Sequence, residues 1–272
     1  MRSVGWQSAG QDQALLAPYQ GGGSSVRGWL VLCTASMLVA CAGSETRQDT
    51  EASRERARVH TELGAGYYAQ NQIAVALEEF QDAVRINPNY APAQNGLGLV
   101  YGTLREDAKA DAAFRKALQL DPNSSETRNN YGSFLCSRNR IDESIVQFTE
   151  AVKNPLYVTP GVAYMNAGTC LLRKQDVKNA ELYLQHALQL QPQLFQAGYQ
   201  LAAIAYNRGD YGVARNYLAS GLESNTPTAE MLWLGIRLAR LEKDRDAEAS
   251  YALQLRKRYP SSEQTKQLLS GQ

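Results

Sequence analysis

Residues Ala91 to Ser124 read APAQNGLGLVYGTLREDAKADAAFRKALQLDPNS, and a shift of 34 lays them over Ala57 to Tyr90, ARVHTELGAGYYAQNQIAVALEEFQDAVRINPNY. Leu63, Gly64, Tyr67, Ala76, Phe80, Ala83 and Pro88 in the earlier stretch become Leu97, Gly98, Tyr101, Ala110, Phe114, Ala117 and Pro122 in the later one. Every marker moves by the same amount, so this is a tandem repeat, and tandem repeats dictate architecture before any single helix does. The chemistry of the markers describes a helical hairpin. Gly or Ala lets two helices approach closely, the aromatic residues fill the space beside them, and proline stops the second helix.

The pattern resembles the tetratricopeptide repeat, in which Leu-Gly, Tyr, Ala, Phe, Ala and Pro recur at these offsets. Later units are looser. The third, from Ser125, keeps Tyr131, Gly132, Phe148 and Ala151, with Pro155 one place early and a short insertion near Val158 to Pro160. The fourth, from Gly161, keeps Gly168, Ala180, Leu184, Ala187 and Pro192; the fifth, from Phe195, has Leu201, Ala202, Ala214 and Leu218; the sixth, from Thr228, has Leu234, Gly235, Ala247, Tyr251 and Pro260. The expected fold is all-α, a right-handed superhelix (solenoid) of about six tetratricopeptide repeats over residues 57–261, followed by a C-terminal tail at 262–272. One hairpin leaves an apolar face bare, so neighbours must stack into a continuous core.

The N-terminus has a different character. WLVLCTASMLVA, Trp29 to Ala40, is about a dozen mostly apolar residues with Arg27 ahead and Cys41 behind. It is too short to span a bilayer but matches the apolar region of a signal peptide. Leu38-Val39-Ala40-Cys41 resembles the lipobox of bacterial lipoproteins, which implies that Cys41 takes the lipid, and Ala42 in place of an Asp implies transfer to the outer membrane. Residues 1–40 are therefore expected to be a signal peptide with an over-long start at 1–25, and 41–56 a lipidated cysteine and polar, flexible tether.

Charge offers no further partner. The 28 Lys+Arg and 27 Asp+Glu leave a net +1, so no global field draws nucleic acid or an anionic surface. His60 and His186 stand in different repeats without partners at metal-ligand spacing, and no phosphate loop, nucleophile elbow or paired carboxylates stand out. Catalysis, a metal, a cofactor and a small-molecule substrate are not expected. His60 falls where the repeat pattern prefers Trp and is read as packing.

In this repeat family the first helix of each unit lines the concave side. The resemblance assigns to that surface Thr61, Ala65, Tyr68 and Ala69, then Asn95, Leu99 and Thr103, then Asn129 and Ser133. Met165, Thr169, Leu172, Arg173, Tyr199, Ala203, Tyr206, Asn207, Leu232, Ile236 and Arg240 continue it. The groove is mixed and rather apolar, suited to an amphipathic helix or an extended partner segment. Expected partner contacts are Ala65, Tyr68, Ala69, Leu99, Thr103, Asn129 and Ser133, with Leu99 pointing into the groove rather than the core. Cys136 and Cys170 lie on adjacent first helices whose facing Cα atoms come to roughly 5 Å, so a disulfide or two buried thiols both fit.

Two segments narrow the resemblance: Asn129-Asn130-Tyr131-Gly132-Ser133-Phe134-Leu135, and LGIRLARLEKDRDAEASYALQLRKRYP from Leu234 to Pro260. They look like the type IV pilus biogenesis/stability lipoproteins (PilF/PilW), over about Ser53 to Pro260. That resemblance implies a pilotin or assembly factor that binds the pilus secretin and helps it reach and multimerise in the outer membrane, supporting twitching motility. A periplasmic repeat-protein scaffold for cell-wall enzymes or proteases is the alternative reading, and a soluble cytosolic adaptor a third.

Overall fold

The computed structural model describes residues 51–271; the signal segment and Cys41 lie outside the described residues. Among them the chain forms helices only: α1 (51–69), α2 (Ile73–Ile86), α3 (Ala91–Thr103), α4 (Asp107–Leu120), α5 (Ser125–Ser137), α6 (Ile141–Val152) and α7 (Pro160–Arg173). They continue as α8 (Val177–Leu190), α9 (Phe195–Arg208), α10 (Tyr211–Glu223), α11 (Ala229–Glu242), α12 (Arg245–Arg258) and α13 (Glu263–Leu269). Helices α1 to α12 pair in order into six hairpins, and each second helix packs on the first helix of the next. First helices of successive hairpins also touch, α3 with α5, α5 with α7 and α7 with α9, which places them on the inner side of the curve.

The repeat's Gly and aromatic markers are two halves of one contact. A Cβ on Gly64 would sit 3.0 Å from the Phe80 ring, on Gly98 2.7 Å from Phe114, and on Gly132 2.8 Å from Phe148. In the fourth unit Gly168 meets Leu184 in the same way, at 2.7 Å. The residue type at each position follows from that separation, because only a bare backbone admits a ring or leucine there.

Each hairpin turns through one residue with left-handed backbone: Asn71, Arg105, Asn139, Gln175, Gly209 and Lys243. That conformation is cheap for Gly and tolerated by Asn. Arg105, Gln175 and Lys243 adopt it without that advantage, at a cost of about 1–2 kcal/mol each.

Two boundaries and one groove assignment differ from expectation. Residues 51–56, assigned to the tether, are already the first turns of α1. The stretch 262–272 contains α13, started by Ser262 Oγ accepting from the Thr265 amide and locked by the Thr265 hydroxyl donating to the Tyr259 carbonyl, 2.7 Å. A seven-residue helix is too short to show a period; packing against α11 and α12 supplies its stability. For the same reason Leu232 and Ile236, assigned to the groove, are 0 % exposed, enclosed with Ala252, Leu255 and Leu268.

Candidate partner-binding groove

On the inner side of α1, α3 and α5 two cavities adjoin, of about 180 and 330 Å³. Tyr68 and Leu99 line both and form the ridge between them. The smaller is walled by Thr61, Ala65 and Asn95 over Phe80; the larger by Thr103 and Ser133 over Phe114 and Phe134. Glycine makes the depth. At Gly102 a Cβ would stand 3.2 Å from Phe134, and any side chain on this stripe of α3 would fill the floor. The lining therefore combines an aromatic floor with small, polar rims, a shape that takes an inserted apolar side chain.

Arg138 closes the far side. Its Nη2 donates to the Gly102 carbonyl at 2.6 Å, its Nε to Asp107 Oδ1 at 2.8 Å, and its guanidinium lies 5.0 Å over the Phe134 ring. It thus adds a charged donor to a carbonyl in the last turn of α3 that also accepts from the Arg105 amide at 3.3 Å, where a cation is favoured by the helix dipole. Its hydrogen bond holds the Asp107 carboxyl below the usual carboxylate range. One unit further, Arg173 repeats the device, donating to the Cys136 carbonyl at 2.6 Å.

Along the inner face, polar side chains link α1 to α3, α3 to α5, α5 to α7 and α7 to α9. Tyr68 and Thr103 share a hydroxyl–hydroxyl bond; Asn130 Nδ2 donates to Asn95 Oδ1 at 3.3 Å, Asn166 Nδ2 to Asn129 Oδ1 at 3.0 Å, and Gln200 Nε2 to Thr169 Oγ1 at 3.2 Å. Asn130, Asn166 and Gln200 were not among the expected site residues. The available signal was an amide at the sixth position of three units, one place beyond the fifth that the resemblance assigned. Such a row presents donors and acceptors to the backbone of a bound segment while keeping the helices in register.

The expected contacts divide. Ala65, Tyr68, Leu99, Thr103 and Ser133 meet around the two cavities; Ala69 is exposed beside them, and Asn129 belongs to the amide row. Leu99 corrects the expectation that it points only into the groove: it is half-buried and also packs against the cluster of Phe114, Tyr131 and Phe134. Cys136 and Cys170 are joined by a disulfide across α5 and α7 with Cα atoms 5.9 Å apart. His60 is paired with Glu79, Nδ1 to Oε2 2.7 Å. Among the described residues no group of three or more His, Cys, Asp or Glu is arranged to hold a metal ion, and no helix is long and apolar enough to cross a membrane.

Comparison with known proteins places this geometry. The TPR repeat family matches residues 58–104, and tetratricopeptide repeat families match 91–124, 113–146 and 162–194. The chain is 32% identical over 241 residues to the type IV pilus assembly protein PilF of Pseudomonas aeruginosa, covering 88% of this chain and 96% of that protein. The solved structure of Pseudomonas aeruginosa PilF superposes with a TM-score of 0.73 at 30% identity, covering 81% of this chain and all (100%) of the other. PilW, described as a widely conserved type IV pilus biogenesis factor, superposes at 0.68 with 32% identity, covering 78% and 98%.

Proposed function

Since the chain belongs to the family of PilF and PilW, we propose that it serves type IV pilus biogenesis as an outer-membrane lipoprotein that binds the pilus secretin and promotes its localisation and multimerisation. The observation that carries the reading is the pair of cavities divided by Tyr68 and Leu99, an apolar floor with small rims at the N-terminal end of the solenoid. Lipidation at Cys41 would tether this end, so a partner in the same membrane meets these units first. The role is that of a scaffold: the groove offers shape, an apolar floor and hydrogen bonds.

Ala65 gives the cleanest test, since it is exposed on the cavity rim and its replacement leaves the core alone. Ala65→Arg fills the smaller cavity with a charge. The expected result is loss of secretin multimers on semi-native gels with helical circular dichroism unchanged. Normal multimers beside a folded, membrane-bound variant would place the interface elsewhere. Separately, Cys41→Ser is expected to release the protein from outer-membrane fractions.

A further inference from the structure

The loop between α6 and α7 departs from the repeat. Corresponding unit starts run Ala57, Ala91, Ser125 and then Gly161, so this connection carries two residues more than the 34-residue period. It spends them on display. Leu156 and Val158 are 84 % and 87 % exposed, ahead of every other exposed large hydrophobic among the described residues, while Tyr157 between them turns inward and packs on the cluster of Phe148 and Ala163. The presentation is held by hydrogen bonds: Asn154 Oδ1 accepts from the Leu156 amide at 2.9 Å and the Asn154 carbonyl from the Tyr157 amide at 3.1 Å. Pro155 and Pro160 bracket it. The equivalent connections of the neighbouring units put Pro88-Asn89, Pro122-Asn123 and Pro192-Gln193 in the open instead.

Hairpin topology decides what this loop faces. Every first helix starts, and every second helix ends, on one edge of the solenoid, so the α6–α7 loop shares its edge with the beginning of α1. Nine residues, 42–50, separate Cys41 from α1, a reach of roughly 30 Å fully extended. No carboxylate occurs between Glu150 and Asp176, so the loop itself carries nothing that anionic headgroups would repel. We infer that Leu156 and Val158 insert into the lipid surface to which Cys41 is anchored, a second attachment point that fixes the solenoid's edge against the bilayer and leaves the inner groove open sideways. This rests on the lipoprotein reading above. Two attachments are also how a peripheral protein turns a tether into an orientation, because aliphatic side chains buried at the acyl boundary cannot swing with a flexible linker.

The test uses the mature, lipidated protein in phosphatidylethanolamine/phosphatidylglycerol vesicles with brominated acyl chains. Leu156→Trp reports the loop, and Leu104→Trp reports the opposite edge; both residues are exposed, so the fold tolerates the change. Above the background of Trp233, the Leu156→Trp emission is expected to shift to the blue and to be lost to bromine quenching, with neither effect for Leu104→Trp. Protein that floats with the vesicles but whose Leu156→Trp emission stays unquenched overturns the inference and makes the loop a protein contact instead. Protein that fails to float refutes the lipid anchor, and the inference with it.

Discussion

Tyr68 and Thr103, on α1 and α3, join hydroxyl to hydroxyl at 2.9 Å, and this bond holds the Tyr68 ring as the partition between the two inner cavities. The ring's area and the bond contribute separately. Both groups reach solvent, so removing the hydroxyl alone costs about 1 kcal/mol or less. Truncating an aromatic anchor in a groove typically costs about 2 kcal/mol or more of binding. Tyr68→Phe is therefore expected to bind the secretin's periplasmic region within a few-fold of the parent, and Tyr68→Ala at least about 30-fold more weakly. Calorimetric titration separates them; equal losses in both variants would assign the contribution to the hydroxyl and not to the ring.

The link between Cys136 and Cys170 closes a loop of 34 residues between two first helices. In the chain-entropy account such a loop stabilises the fold by about 3.7 kcal/mol, a large share of the roughly 5–15 kcal/mol typical of a whole domain. Cys136→Ala/Cys170→Ala should shift the urea midpoint down accordingly. Thiol labelling of denatured, unreduced periplasmic material is expected to find neither sulfur; two labelled thiols per chain would rule out the bond.

Backbone strain in the hairpin turns makes a prediction of opposite sign. Gln175 has φ 64°, and a side chain in the left-handed region costs about 1–2 kcal/mol, partly offset by the entropy that glycine loses on folding. Gln175→Gly should stabilise by about 0.5–1 kcal/mol, whereas Gly209→Ala, at φ 89°, should destabilise by about 1 kcal/mol. Denaturant titrations of both decide it, and a destabilised Gln175→Gly would show that its side chain, not its backbone, matters.

Legibility in sequence follows the reach of each constraint. The six hairpins were readable because Gly64 against Phe80 and Gly98 against Phe114 impose residue types at fixed offsets, and steric demands of that kind survive as letters. The cavity rim was readable through the resemblance, since first helices always turn the same face inward. Asn130 and Asn166 were not, because an amide that bridges helices has the same composition as one facing water. Leu99 was half-read: its position names the groove, but its contact with Phe114 and Phe134 depends on how closely α3 meets α5. Leu232 and Ile236 were misassigned because the helix that covers them, α13, carries no repeat signature.

Acid should find the outer side of the second and third units first. Asp111 on α4 accepts from Tyr131 Oη at 2.7 Å, from Arg140 Nη1 at 2.7 Å and from Arg115 Nε at 2.6 Å, tying α4 to α5 and to the turn that leads into α6. Burial alone would push this carboxyl up, but the three donors outweigh it and hold the carboxyl below its ordinary value. Tyr131 moves the other way, pushed up by burial and by its bond to Asp111, so it stays a donor through neutral pH. A carboxyl depressed in the folded state contributes stability that is fully present above its unfolded pKa of about 3.9 and is lost as pH falls through the lower folded value. Removing the charge while keeping the shape, Asp111→Asn, should cost about 1–3 kcal/mol at pH 7, because Arg140 and Arg115 lose an anionic acceptor. At pH 3, below the unfolded-state value, the carboxyl of the unfolded chain is largely protonated, so part of that contribution is gone and the gap between parent and variant should narrow. Urea unfolding of both proteins at pH 7 and pH 3 measures this directly. A gap of the same size at both values would mean that Asp111 acts through packing, and its three hydrogen bonds would then owe nothing to charge.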